Sequence, residues 1–66
     1  MINTIRIERA VQRLTQQQLA EKIQVSRQTI HAIETGKYIP STVLALKLAA
    51  VFGKKVNEIF MLEEGD

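Results

Sequence analysis

At 66 residues the chain has room for one small core, since a domain of this size buries only roughly 60% of the surface that its unfolded chain exposes. It has no cysteine and a single histidine, which excludes a disulfide framework, a cysteine nucleophile and a zinc set made from these residues, so the core is expected to be purely hydrophobic. An apolar content of 45% with no run near the ~20 residues of a membrane span fits a globular cytoplasmic protein, and a net charge of +2 points to nucleic acid only if the cations gather on one face.

Met1–Asn3 is an apolar-polar lead, either a frayed end or a brief strand. From Thr4 to Arg13 the residues favour helix. Ile7, Ala10, Val11 and Leu14 gather on one side, the side that an amphipathic helix turns inward, with Ile5 apart and Arg6, Arg9 and Arg13 on a solvated face. Leu14–Gly36, reading LTQQQLAEKIQVSRQTIHAIETG, then predicts two short helices around a tight turn. Thr15 caps the first, with Gln18 three residues on to close a capping box, and Leu19, Ala20 and Ile23 share its inner face. Ser26 caps the second, Ile30 and Ile33 repeat at a helical interval, and Gly36 supplies the stop. Only Gln24 and Val25 separate them, so the helices have to cross steeply, which is the helix-turn-helix arrangement.

Lys37–Pro40 is a loop, because the proline forces Ile39 extended. Ser41 caps a fourth helix whose residues Val43 to Phe52 are nearly apolar all round, which predicts the buried centre of the domain; Gly53 ends it. Lys54 and Lys55 form an exposed turn, and Val56–Phe60 make a short fifth helix that closes the bottom of the core. Met61 and Leu62 are apolar where a chain end is normally polar, and Glu63–Asp66 follow. The expected fold is a single all-α domain over 1–66, a compact five-helix bundle, with a short two-stranded ribbon where the chain ends pair. No glycine-rich phosphate loop and no carboxylate cluster beyond the tail suggest an enzyme, and no small-molecule effector or cofactor is implied.

These residues resemble the Cro/phage-repressor type of helix-turn-helix proteins, the Xre family. The likeness is carried by Leu14-Thr15-Gln16 with Leu19-Ala20, then Val25–Ile30, Ile33-Glu34, Gly36–Tyr38, Pro40-Ser41, and Gly53 with Glu58–Phe60. It spans about Asn3 to Phe60, with the motif at about 15–34, and extends to short, tail-less members that are small dimeric repressors. It implies a phage-repressor-like bundle and a transcriptional regulator of double-stranded DNA, most simply a repressor. An antitoxin or adaptor that binds a protein partner is the alternative.

Within that frame the second motif helix is the recognition helix, whose amino end enters a major groove about 12 Å wide. With Ile30 and Ile33 inward, its outer face offers Arg27, Gln28, Thr29, His31 and Ala32 for base reading: a bidentate donor for guanine, an amide for adenine and a methyl for thymine. Phosphates are expected at the helix starts, from Gln16, Gln17 and Ser26, and beyond the recognition helix from Lys37 and Tyr38. The resemblance also implies a structural ion pair between Arg9 and Glu34. The sequence departs from the pattern at Gln24 and Arg13, which take the place of frequent glycines, at Glu8, which takes a commonly apolar place, and at Lys55, which takes that of a capping serine. Ile2, Val56, Ile59, Phe60 and Leu62 form an apolar patch expected to pair two copies, which would set recognition helices roughly 34 Å apart on a palindrome. Ile2 and Leu62 have a second reading, as caps on the monomer's own core.

Overall fold

The computed structural model describes residues 1–66. Its order is β1 (Ile2–Asn3), α1 (Ile5–Gln12), α2 (Gln16–Ile23), α3 (Arg27–Glu34), α4 (Thr42–Phe52), α5 (Val56–Ile59) and β2 (Phe60–Met61). β1 and β2 pair antiparallel, Ile2 opposite Met61 and Asn3 opposite Phe60, so the chain ends do form the two-stranded ribbon. One hydrophobic cluster holds the bundle: Ile5, Leu19, Ala20, Ile30, Leu48 and Ile59 are completely buried, with Ile23 and Ile33 nearly so. No helix is long and apolar enough to cross a membrane.

Local chemistry starts and stops the helices. Thr15, Ser26 and Ser41 each accept a backbone N–H three residues on, from Gln18, Thr29 and Leu44, which satisfies one of the donors that a helix start leaves without an intrahelical acceptor. Gln18 returns the bond to the Thr15 N–H at 2.9 Å and completes the capping box. α5 starts more weakly. Glu58 accepts from the Lys55 N–H at 2.9 Å, but lysine has no acceptor to return. α3 ends through Gly36, whose φ of +77° lets the Lys37 N–H reach back to the Ala32 carbonyl at 2.9 Å. Arg13 and Gln24 close α1 and α2 in the left-handed region, with φ of 57° and 63°, a conformation that costs a non-glycine residue about 1–2 kcal/mol.

The orientation of α1 reverses the sequence expectation. Ile5 is its buried apolar residue, while Ile7 and Val11 are 63% and 73% exposed and Ala10 also faces solvent. The stripe that faces the rest of the fold is Ile5, Glu8, Arg9 and, at its exposed end, Gln12, which share one helix face at i, i+3, i+4 and i+7. Its three polar members each find a distant partner. The Glu8 carboxylate meets the Lys54 ammonium at 2.9 Å, Arg9 pairs with Glu34, and the Gln12 amide donates to the Val51 carbonyl at 3.1 Å. Lys54 lies in the exposed turn that the sequence predicts, and the Glu8 hydrogen bond raises its pKa above the ordinary value.

Two further expectations change. α4 is not buried all round: Leu48, Ala49 and Phe52 are inside, but Val43 and Leu46 are 62% and 57% exposed, because a chain this short cannot surround its own longest helix. α5 stops at Ile59, and Phe60 is extended in β2. The ribbon is fixed to α1 and α3 by Asn3, which donates to the Ile33 carbonyl at 2.9 Å and accepts the Ile5 N–H at 3.2 Å. The Thr4 N–H adds a bond to the Ile59 carbonyl. At the ends, the Met1 ammonium meets carboxylate oxygens of Glu63 at 3.0 Å and Asp66 at 2.9 Å.

Candidate nucleic-acid interface

α2 and α3 cross with Gln24 and Val25 between them, and their inner faces, Leu19, Ala20 and Ile23 against Ile30 and Ile33, are buried. That packing fixes which side of each helix looks outward. At the start of α2, Thr15 and Gln18 engage each other's N–H groups and leave those of Gln16 and Gln17 open; at the start of α3, Ser26 engages Thr29 and leaves those of Arg27 and Gln28 open. Each start therefore carries free donors and the positive end of the helix dipole, which suits a phosphate or a base-edge acceptor.

A charged and polar network joins the two helices to α1. Arg9 grips Glu34 with both arms of its guanidinium, Nε to Oε2 at 2.6 Å and Nη2 to Oε1 at 3.1 Å, and Nη1 donates to the Leu14 carbonyl at 2.9 Å. The Glu34 hydrogen bond holds the Arg9 pKa above its ordinary value, against the lowering effect of burial. Only 6% of the Glu34 side chain reaches solvent, so its charge depends on that partner. The Gln16 Nε2 lies 3.2 Å from Glu34 Oε1 and 3.3 Å from His31 Nδ1, and the Gln16 Oε1 accepts from Arg27 Nη1 at 3.2 Å. Gln16, Arg27 and His31 thus form one surface cluster backed by a buried ion pair.

The remaining sequence-assigned residues divide by position. Gln28 is exposed on α3 and Ala32 is half-buried beside it. Thr29 is half-buried, with its hydroxyl 3.0 Å from the Ser26 oxygen, so both hydroxyls already serve the cap. Gln17 is exposed and bonds Glu21 one turn on. Lys37 and Tyr38 are exposed just past α3, and their N–H groups both return to the Ala32 carbonyl, which orders the turn that carries them. Sequence reasoning left Arg6 on a solvated face. It is exposed, as expected, and also borders, with Arg9, Gln16, His31, Glu34 and Thr35, a cleft of about 310 Å³ lined only by polar residues. The three-residue spacing of Arg6 and Arg9 on one helix was the available signal.

The apolar patch also divides. Ile59 and Phe60, expected at a contact between copies, are instead buried in the monomer's own core. Ile2, Met61 and Leu62 are 49%, 37% and 80% exposed, and Val56 is half-buried. Beside Val56 lies an apolar cleft of about 230 Å³ bordered by Ile39, Pro40, Ala45 and Leu46.

A family model described as helix-turn-helix matches residues 5–59. Among curated proteins, an HTH-type transcriptional regulator of Methanocaldococcus jannaschii is 52% identical over 66 residues, the whole of both chains. The HTH-type transcriptional regulator YgzD of Bacillus subtilis is 44% identical over 64 residues, 97% of each chain. A third, from Methanothermobacter thermautotrophicus, is 45% identical over 65 residues, 97% of this chain and 94% of its own.

Proposed function

The chain belongs to the Xre-type helix-turn-helix family of DNA-binding transcriptional regulators, and from that premise we propose that it is a cytoplasmic repressor that holds a palindromic operator as a homodimer. The amino end of α3 carries the reading: Arg27 and Gln28 are exposed there, directly after the Ser26 cap, with free backbone donors beneath them. α3 enters the major groove, Arg27 reads guanine and Gln28 adenine, and Thr29, His31 and Ala32 complete the base-facing surface. The open N–H groups of Gln16 and Gln17, together with Ser26, Lys37 and Tyr38, take phosphates and set the register.

A second copy covers the apolar surface of Ile2, Val56, Met61 and Leu62 with the adjoining cleft, about a two-fold axis that gives the operator its symmetry. Selection of bound sequences from random duplexes at two salt concentrations tests the whole. A palindrome with a steep salt slope is expected, and binding indifferent to sequence refutes the repressor. Sedimentation at micromolar protein tests the dimer separately, a lone 7.5 kDa species refuting it.

One observation favours a second reading, as an adaptor or antitoxin: Ile7, Ala10 and Val11 form an exposed apolar strip on α1 that the first reading does not use. Under it, Val11→Glu abolishes regulation in cells while operator affinity of the purified protein is unchanged. Under the first reading both are retained.

A further inference from the structure

The Gln16 amide has its orientation fixed by chemistry at both ends. The Glu34 carboxylate, paired with the Arg9 guanidinium, only accepts hydrogen bonds, so the Gln16 atom 3.2 Å from it has to be the nitrogen. A guanidinium only donates, so the Gln16 atom 3.2 Å from Arg27 Nη1 has to be the oxygen. With the amide unable to flip, its nitrogen presents a second hydrogen to His31 Nδ1 at 3.3 Å. A nitrogen that accepts a hydrogen bond carries no proton, and a neutral imidazole with a bare Nδ1 carries its proton on Nε2.

We infer that Gln16 is a positioning residue that holds His31 in the Nε2–H tautomer, so that an exposed place on the recognition helix becomes a fixed hydrogen-bond donor to an acceptor on DNA. The inference rests on the proposed DNA-binding role of α3 for its target and on the free protein's geometry for the tautomer. A donor at this place accepts partners such as purine N7, guanine O6, thymine O4 or a phosphate oxygen, and rejects the amino groups of adenine and cytosine. It also revises the role of the Gln16 side chain. Both of its N–H groups are engaged within the protein, so phosphate capture at the start of α2 falls to the backbone N–H groups of Gln16 and Gln17.

His31 is the chain's one histidine, so its ring nitrogens give an unambiguous signal in a long-range nitrogen–proton spectrum. At about pH 8, above the ordinary imidazole range, the wild type is expected to show a protonated Nε2 and a bare Nδ1 as a single tautomer. Gln16→Ala, with its fold checked by circular dichroism, is expected to show a mixture. A tautomer mixture in the wild type, or a spectrum unchanged in the variant, overturns the inference whether or not the protein binds DNA. On a selected operator, Gln16→Ala and His31→Ala are both expected to lose roughly tenfold discrimination at one shared base pair if the acceptor is a base. If it is a phosphate, both lose affinity uniformly, with a shallower salt slope. A wild-type operator profile retained by both variants overturns the donor role, and absence of any selected operator counts against the repressor reading alone.

Discussion

Arg9 and Glu34 set the energetics of the site at the scale of single residues. The pair is largely buried, and a buried charge that loses its partner costs far more than the intact pair contributes. Arg9→Ala strands the Glu34 carboxylate and is expected to destabilise the domain by about 3 kcal/mol, a fall in Tm of roughly 12–24 °C at 4–8 °C per kcal/mol. Because Glu34 also orients Gln16, DNA affinity is expected to fall with it. A variant that melts with the wild type refutes this role. Exposed residues that are not members of the buried pair behave differently. Arg27→Ala is expected to relax preference at one base pair by about 1–3 kcal/mol, whereas Lys37→Ala weakens all sequences alike and lowers the salt slope by about 1. Affinities measured on matched and mismatched duplexes at several salt concentrations separate the two.

At the scale of elements, the turns are where this chain keeps strain. Gln24 occupies the left-handed region at the corner between α2 and α3, is exposed, and its side chain makes no hydrogen bond that glycine would lose. Gln24→Gly is therefore expected to stabilise the domain by about 1 kcal/mol, read as a higher midpoint in urea with an unchanged slope; a lower midpoint refutes the assignment of strain. α1 shows the converse. Its apolar side faces water and its polar side faces the protein, because the inward stripe is satisfied by Lys54, Glu34 and the Val51 carbonyl. Helical periodicity placed the helix correctly and its buried face wrongly.

At the scale of the whole molecule, the chain ends bring both a clasp and an apolar surface. The Met1 ammonium is raised above its ordinary pKa, first by the Asp66 hydrogen bond and then by Glu63, and Asp66 is lowered, first by the Glu63 backbone N–H and then by the Met1 ammonium. A raised ammonium stabilises the fold below about pH 8 and loses that contribution as pH rises through the folded value; a lowered carboxylate contributes above about pH 4 and loses it as pH falls. The clasp is therefore expected to hold near neutrality and loosen in both directions. Acetylation of the Met1 amine is expected to remove the alkaline dependence of Tm, and an alkaline slope unaltered by acetylation refutes the clasp. Leu62→Glu is expected to leave the monomer folded, since Leu62 is 80% exposed, while it shifts sedimentation to monomer and weakens operator binding. An unchanged sedimentation profile removes Leu62 from the interface.

The sequence by itself determined the helix-turn-helix unit, because its signals are local: Thr15 and Ser26 cap within three residues, Gly36 stops α3, and Leu19, Ile23, Ile30 and Ile33 keep helical spacing. The ribbon was legible as well, from apolar residues at both ends of the chain. Tertiary structure alone decided the buried face of α1, the exposed side of α4 and the orientation of Gln16. The outcomes at α1 and Gln16 rest on partners distant in the chain, as Glu8 rests on Lys54 and Gln16 on Glu34. Periodicity records how apolar each side of a helix is, and says nothing of which polar groups will meet a charge across the fold.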